Sequence, residues 1–590
     1  MHKWFLVTVA LGVRGVVGAV TVGSFAVSLV AQAATTPPNA GDLLRREQEL
    51  DRLRDLPRSI PLPRKAAPSA APAPQDSVRI SVKSFRIEGQ LDSISEADIQ
   101  AVLKGAIGQR LTYSELLGWV AKVTELYKSR GFFLARAVLP PQDVTDGVIV
   151  VRIIEGRLDP QSGTRFKGDT MRLNQDFARG VVLEAIGHKG AIKESLLERG
   201  TLNLNDNPGF ATSVLAEPGD TPETVRLVFE SVEGPLVVGS VVVDNFGSRY
   251  TGDWRYTGNV NINNPSRYGD QVQASYTNVF DGNFETIKLG YGFPIGKDGL
   301  RGNVSYTDLS FGVGKELASL GAKGQAGNAN ATLKYPFYRT QVMSVNGTLA
   351  YDWKALKNES GGAVSSDKRI DVGAATLSWE RADQIGGGGF TVVSLTRSNG
   401  MVDLSRNADN LSDDETLGYN TRGSFGKTGY QIVRIQRGSN RISFQGTLSG
   451  QFADKNLDGS ERFSLGGPAG VKGYPGGEAS GDEGHKFSFE ARYTALTETK
   501  VGNWLLQFFY DTGHIKKYKD TSQLSSPPTE NSYSLSSWGL GLNVVAAGKH
   551  DVKIGWAQVI GSNPGATTDG NNSDGLSRNN RFWVYVSKEF

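Results

Sequence analysis

From Pro235 to Phe590 the chain shows no helical apolar period. Segments of about 9 to 14 residues instead alternate between apolar and polar side chains, the period of a strand with two different faces. Gly, Asn, Asp and Ser separate them. Counting LVVGSVVVDNF at 236–246 as the first and RFWVYVSKEF as the last, and leaving ERFSLGG to a loop, gives sixteen segments. Residues 235–590 then supply about 22 residues per strand and turn, which suits short turns at one end and longer loops at the other.

The two faces decide the class. Val272, Ala274 and Tyr276 oppose Gln271, Gln273, Ser275 and Thr277. Val552, Ile554, Trp556 and Gln558 oppose Lys553, Gly555, Ala557 and Val559. A soluble sandwich has a drier inner face and a more charged outer one. An apolar face against a small, polar one fits lipid outside and water inside. The pattern predicts a transmembrane β-barrel of sixteen antiparallel strands. Trp and Tyr near segment ends match interfacial girdles. The closing strand, with Phe582, Val584, Val586 and the terminal Phe590, reads as an address for the barrel-assembly machinery.

Composition narrows the function. Beyond residue 34 no apolar run reaches the roughly 18 residues of a spanning helix. Cysteine is absent, which excludes disulfides and thiolate metal sites. His2, His188, His485, His514 and His550 lie at no ligand spacing. A formal charge of +3 gives no reason to expect nucleic acid. No catalytic constellation stands out, and the glycine-rich YGFPIGKDGLRGN around Lys297 lacks a phosphate-loop pattern and reads as a turn. Transport is expected, with no catalytic, cofactor or metal residues.

Residues 1–33 read as an export signal, with the apolar VVGAVTVGSFAVSLVA and Ala31-Gln32-Ala33 as the cleavage site. Residues 41–56 form a charged helix with Leu43, Leu44, Leu50, Leu53 and Leu56 loosely on one side. Alone they read first as a solvent-exposed helix, with a plug in a wet channel as the alternative. The proline-rich 57–78 reads as an extended linker. Residues 79–156 predict a small α/β module ordered strand, helix, helix, strand, strand, with VRISVKSFRIEG (78–89) as the first strand and FFLARAVLP and GVIVVRIIEG as the closing two. Ser95 and Thr112 are its N-caps, Asp98 and Glu115 stand three residues on, and Gly131 is a C-cap. Residues 157–234 repeat the plan, with matching endings VRIIEG and FESVEG. An edge strand of either module offers a partner a place to add a strand.

The loop ERFSLGGPAGVKGYPGGEASGDEG puts one cation, Lys472, between small or aromatic residues, with Val471, Gly473 and Tyr474 around it. Two segments on, Phe509, Asp511 and Gly513 alternate onto one face. A lumen-facing Asp511 is the expected partner of Lys472. Glu490, with Arg492 on its face, is the second candidate. Asp482 is expected to serve a turn. At the barrel start, Asp244 and Asn245 precede Gly247 and are expected to cap a turn.

These residues and the domain order resemble the outer-membrane transporters of two-partner (type Vb) secretion, which share the Omp85 superfamily with barrel-assembly proteins. Val471-Lys472-Gly473-Tyr474 is similar to the family's (V/I)-R-G-(Y/F) in a sixth loop folded into the lumen. Phe509, Asp511 and Gly513 match its F-x-D-x-G, and Asp244, Asn245 and Gly247 its D-N-x-G. The resemblance implies a helix able to occupy the pore, two periplasmic POTRA domains (79–156 and 157–234) and a sixteen-stranded barrel (235–590). It implies passage of an unfolded exoprotein to the surface or medium, the cargo being an adhesin, haemolysin, contact-dependent toxin or haem-scavenging protein. Outer-membrane lipid and lipopolysaccharide would surround a monomer. The chain departs from the pattern at Lys472, where the family has arginine. Lysine keeps the charge and loses the bidentate fork, so one carboxylate oxygen is the expected contact. An assembly factor of the same superfamily is the alternative; such proteins typically carry more modules.

Overall fold

The computed structural model describes residues 37–55, 79–168, 171–187, 190–546 and 550–590. The expected signal segment and proline-rich linker lie outside the described residues. Sixteen antiparallel strands, from Val237–Asp244 to Asn580–Glu589, close into a barrel. Each of the sixteen segments read from the sequence is one strand. The first strand pairs with the last, from Ser240 opposite Glu589 to Asp244 opposite Tyr585. Phe590 extends that ladder, exchanging two 3.0 Å backbone hydrogen bonds with Gly239. Closure leaves no unpaired edge, a condition for strands in lipid.

Alternation fixes which side chains face out. Leu289, Tyr306, Leu349, Leu377 and Leu395 are 51–60 % exposed on the outer wall. Their neighbours Lys288, Ser305, Thr348, Thr376 and Ser394 turn inward. The fold thus reverses a soluble protein's pattern.

The helix Ala40–Asp55 lies in the lumen, against the solvent-exposed placement its residues alone suggest and in line with the plug. Its first N–H, at Ala40, donates to Asn358 Oδ1 (2.9 Å) at the loop end of the seventh strand. Further along, Asp51 meets Lys288 Nζ (2.9 Å) in the middle of the fourth strand. Leu43, Leu44 and Leu50 are buried. An otherwise hydrophilic helix is tolerated here because the lumen wall supplies polar partners.

The two α/β modules sit at the other end. In the first, Ser84–Glu88 pairs in parallel with Val148–Ile154, and Arg136–Val138 is antiparallel to it. Two helices, Glu96–Leu103 and Tyr113–Ser129, cover the sheet. Thr112 and Glu115 form a full capping box, and Ser95 caps the other helix. Asp98 instead pairs with Arg130 (3.0 Å). The expected continuous strand over 78–89 breaks after Ser81; Arg79–Ser81 pairs separately with Arg110–Thr112. The expected strand FFLARAVLP shortens to Arg136–Val138, because Phe132–Ala135 turns to pack on the first core and Phe133 and Leu134 on the second.

The second module repeats the plan: Thr164–Lys167 parallel to Thr224–Glu233, Phe210–Pro218 antiparallel, with helices Gln175–Ile186 and Glu194–Asn205. It docks on the short turns of the barrel. Arg339 pairs with Asp206, Asn203 Nδ2 donates to Asp298 O (3.2 Å), and Arg199 donates to Tyr335 Oη (3.0 Å). The turn expected around Lys297 is part of this contact.

A lumen loop, a helix and the barrel seam

The loop between the eleventh strand (Ile442–Ala453) and the twelfth (Glu483–Thr499) folds into the lumen. Phe463–Ser464 and Ser480–Gly481 make a short hairpin at its base. Val471 and Tyr474 are fully buried, packed with Leu465, Ile515 and Leu535. The tip, Lys472-Gly473, crosses the inner face of the last five strands.

Asp511, on the thirteenth strand, is 1 % exposed and receives the tip. Lys472 Nζ lies 3.0 Å from its Oδ1, and the backbone N–H of Lys472 donates to Oδ2 (3.2 Å). The expectation of one oxygen holds for the side chain; main chain takes the other. Lysine therefore recovers two-point contact without a guanidinium fork. Glu490 stands 3.7 Å from the same ammonium, and the Phe509 ring centroid 4.6 Å. Arg492 pairs with Glu490 (2.6 Å) and donates to Gln445 (2.7 Å). A charge this enclosed is expensive unless paired and hydrogen-bonded; here it is both.

Three further contacts were not legible in the sequence. Ser488 Oγ donates to Asp511 Oδ1 (2.6 Å), Gly473 N–H donates to Ser537 Oγ (3.1 Å), and Trp583 Nε1 donates to Lys472 O (2.7 Å). They come from the twelfth, fourteenth and sixteenth strands. Gly473 is required by close approach: a Cβ there would lie 2.8 Å from Ser537 Cβ. Gly513 faces the loop's Leu465.

Asp482 is not a simple turn residue. It is completely buried and accepts from Leu457 N–H (3.1 Å), Arg462 Nε (3.0 Å) and Lys519 N–H (2.8 Å). Two loops converge where the chain re-enters the wall, and one carboxylate satisfies their backbone donors. Glu461, also buried, binds Lys354 (2.5 Å) and Lys427 (2.9 Å), and Asp458 pairs with Lys368. These pairs fix the loop base to strands seven, eight and ten.

At the seam, Asp244 does cap Phe246 N–H (3.0 Å), as expected of a turn residue. It also pairs with Arg255 Nε (2.8 Å) across the first hairpin. Arg255 in turn binds Glu47 of the lumen helix. Asn245 departs from the expected turn cap. It stitches the closure, donating to Phe582 O (2.9 Å) and accepting from Val584 N–H (2.8 Å). Gly247 N–H donates to Asp253 O (3.0 Å) in the hairpin. The Trp583 ring packs on Phe246 at 5.8 Å. The three motifs thus fall into two clusters: a tip socket around Asp511, and a seam around Asp244 and Asn245, linked by Trp583. Among the described residues no group of three or more ligand-type side chains is placed to hold a metal ion.

Comparison with known proteins gives this arrangement a family. Residues 224–561 match the family model described as haemolysin secretion/activation protein ShlB/FhaC/HecB, and residues 80–156 match the ShlB-type POTRA domain. The heme/hemopexin transporter protein HuxB of Haemophilus influenzae (strain 86-028NP) is 24% identical over 84% of each chain. The outer membrane transporter CdiB of Dickeya dadantii is 22% identical over 78% of this chain and 80% of its own. Among solved structures, CdiB from Escherichia coli superposes with a TM-score of 0.72 at 18% identity, covering 94% of this chain and 100% of that one. The chain therefore belongs to the haemolysin secretion/activation protein family ShlB/FhaC/HecB, with its barrel in the outer membrane and its modules in the periplasm.

Proposed function

We propose that this protein is the outer-membrane pore of a two-partner secretion system. It recognises one cognate exoprotein in the periplasm and passes it, unfolded, to the surface or medium. The observation that carries this reading is the filling of a sealed barrel by two elements of its own chain, a helix and a loop, each tied to the wall by a few ion pairs. A helix on a linker, held by contacts that water can replace, is a removable plug. Its exit opens a passage along the part of the lumen wall that it covers. Folding outside gives direction where no nucleotide is available.

Residues 157–234 are read as a second POTRA domain, since their first and last strands pair in parallel as in the first module. Arg136–Val138 and Phe210–Pro218 are each paired on one side only among the described residues, which suits docking of a cargo strand. The same reading takes residues 1–33 as a cleaved signal and 57–78 as a linker, and the protein as a monomer in lipid and lipopolysaccharide, inserted by the barrel-assembly machinery and acting as a transporter rather than an enzyme. Relatives named as transporters of heme/hemopexin and of hemolysin support a secreted partner. The roles of Lys472, Asp511 and the seam residues as a lock belong to the same proposal.

Deleting this chain tests it. Export of the large exoprotein encoded beside it should stop and periplasmic degradation products should rise. Continued export with a fall in many other barrels would favour an assembly factor instead.

A further inference from the structure

The wall behind the lumen helix is apolar where the helix begins. At the loop end of strands five to seven, two successive inward rungs form a shallow trough. One rung sets Leu309 opposite Ala326 and Ala326 opposite Leu356. The next sets Phe311 opposite Gly324 and Gly324 opposite Asn358. The middle strand carries the smallest residues of each rung, so the floor lies lower than the flanks. Gly324 is required by close approach: a Cβ there would lie 2.6 Å from the Phe311 ring and 2.7 Å from Asn358 Oδ1.

The start of the lumen helix covers this trough. Ala40, Leu43 and Leu44 share one buried cluster with Leu309, Phe311, Ala326 and Leu356. The first N–H of a helix has no partner within it; that of Ala40 donates to Asn358 Oδ1 (2.9 Å). Further along, the helix is held by charge, Glu47 on Arg255 and Asp51 on Lys288. Water and counter-ions replace such pairs when the helix leaves. They do not replace Leu43 and Leu44. Wetting apolar wall and apolar helix together costs free energy in proportion to the area uncovered. An apolar occupant of the vacated trough offsets that cost.

We infer that the trough is a binding site for the exported polypeptide, which docks there an unfolded segment with two bulky apolar side chains and a free backbone N–H and so displaces the helix by competition for one surface. The inference rests on the reading of the chain as a protein-conducting pore. The helix defines the occupant by its own chemistry, two adjacent leucines in an apolar cluster and one main-chain donor on Asn358. An unfolded segment offers the same groups, because its apolar side chains are exposed and its backbone donors are unpaired. A folded domain hides them, and a charged or glycine-rich segment lacks the side chains. Opening is thereby tied to the arrival of exportable chain.

The test separates capture of cargo from mere support of the helix. Leu43→Ser with Leu44→Ser, in the full chain, removes the helix's own claim on the trough. Leu309→Asn with Leu356→Asn is then added, which nearly keeps side-chain size and removes apolar character. Thr348→Ala, elsewhere on the seventh strand, is the control in the same background. Pulse–chase experiments read export of the exoprotein encoded beside this chain, heat-modifiable mobility checks barrel assembly, and bilayer recordings read the open fraction. The helix variant should open the pore and export at the wild-type rate or faster. Adding the trough pair should leave the pore open and slow export about tenfold, the loss expected for about one buried leucine; the control should cause no slowing. Unchanged or faster export with the trough pair, or equal slowing in the control, overturns the inference. If the trough pair fails to assemble, a photo-crosslinking amino acid at Asn358 decides instead. Its adduct should join the helix at rest, and should pass to the exoprotein when export is jammed by a folded domain fused to the exoprotein's C-terminus. A helix adduct that persists in the jammed state, or an adduct with lipid alone, overturns the inference. If deletion of the whole chain leaves export intact, the pore reading falls and this inference with it. If deletion stops export and the trough pair leaves the rate unchanged, only the inference falls.

Discussion

Lys472 binds both oxygens of Asp511: its ammonium meets Oδ1 at 3.0 Å and its backbone N–H meets Oδ2 at 3.2 Å. One residue thus supplies two donors to a carboxylate that Ser488 also serves. Asp511→Ala leaves the Lys472 charge enclosed with only Glu490 nearby. The loop should lose about 3 kcal/mol of docking energy. Protease cleavage between Leu465 and Ala479 in assembled barrels should rise; unchanged protection would count against the pairing.

Lys472→Arg should keep the loop protected, because guanidinium can fork onto Asp511 and Glu490. Lys472→Met should behave like Asp511→Ala, since the buried carboxylate is then unpaired. Limited proteolysis of the two variants side by side separates a charge effect from one of side-chain length.

Glu47→Gln removes the link between the lumen helix and Arg255 while Arg255 keeps Asp244. The contribution of a partly exposed pair is about 1 kcal/mol, so the open fraction should rise about fivefold. Planar-bilayer recordings read it directly. Deleting residues 41–56 should give a persistently open pore, and unchanged conductance would show that the helix blocks nothing.

Gly473→Ala places a methyl 2.8 Å from Ser537 Cβ and 3.0 Å from Val559 Cγ2. Neither can yield without moving a barrel strand. The cost should be about 1 to 3 kcal/mol. The same substitution combined with Ser537→Gly should recover part of the protection, since the nearer obstacle is then gone.

Asp159 of the second module accepts from the backbone N–H groups of Ser162, Thr221 and Gln161, which hold its carboxyl far below the usual carboxylate range. The folded value is depressed, so its stabilisation is complete above the unfolded value of about 4 and is lost as pH falls below it. Hydrogen exchange at Gln161, Ser162 and Thr221 should quicken as pH drops below about 4, after correction for intrinsic rates. Asp159→Asn should show fast exchange already at neutral pH and little acid dependence.

Much of the architecture was legible because lipid and water impose a strict period of two. Each of the sixteen strands and the inward face of Asp511 followed from alternation alone. The second module's two helices and its two closing strands, and the Thr112–Glu115 cap of the first module, followed from local signals. The helix's location did not. A charged helix with a loose leucine stripe looks alike in water and in a polar lumen, and only contacts with Asn358, Lys288 and Arg255 distinguish them. Ser488, Ser537 and Trp583 were missed for a related reason. Their part in the tip socket depends on the register across five strands and on how deep the loop reaches. Arg255 was not singled out, although its place opposite Asp244 in the first hairpin was a usable signal. Asp482 was underestimated because a loop's burial cannot be read from its own glycine-rich composition.

The most direct test of the central claim uses two adjacent residues on opposite faces of one strand. A photo-crosslinking amino acid is placed at Ser305, inside the lumen, or at Tyr306, outside it, and cells exporting the partner exoprotein are irradiated. The account predicts an adduct with the exoprotein from position 305 and none from 306. Undiminished export with no adduct from 305, or equal adducts from the two positions, would contradict passage through this barrel.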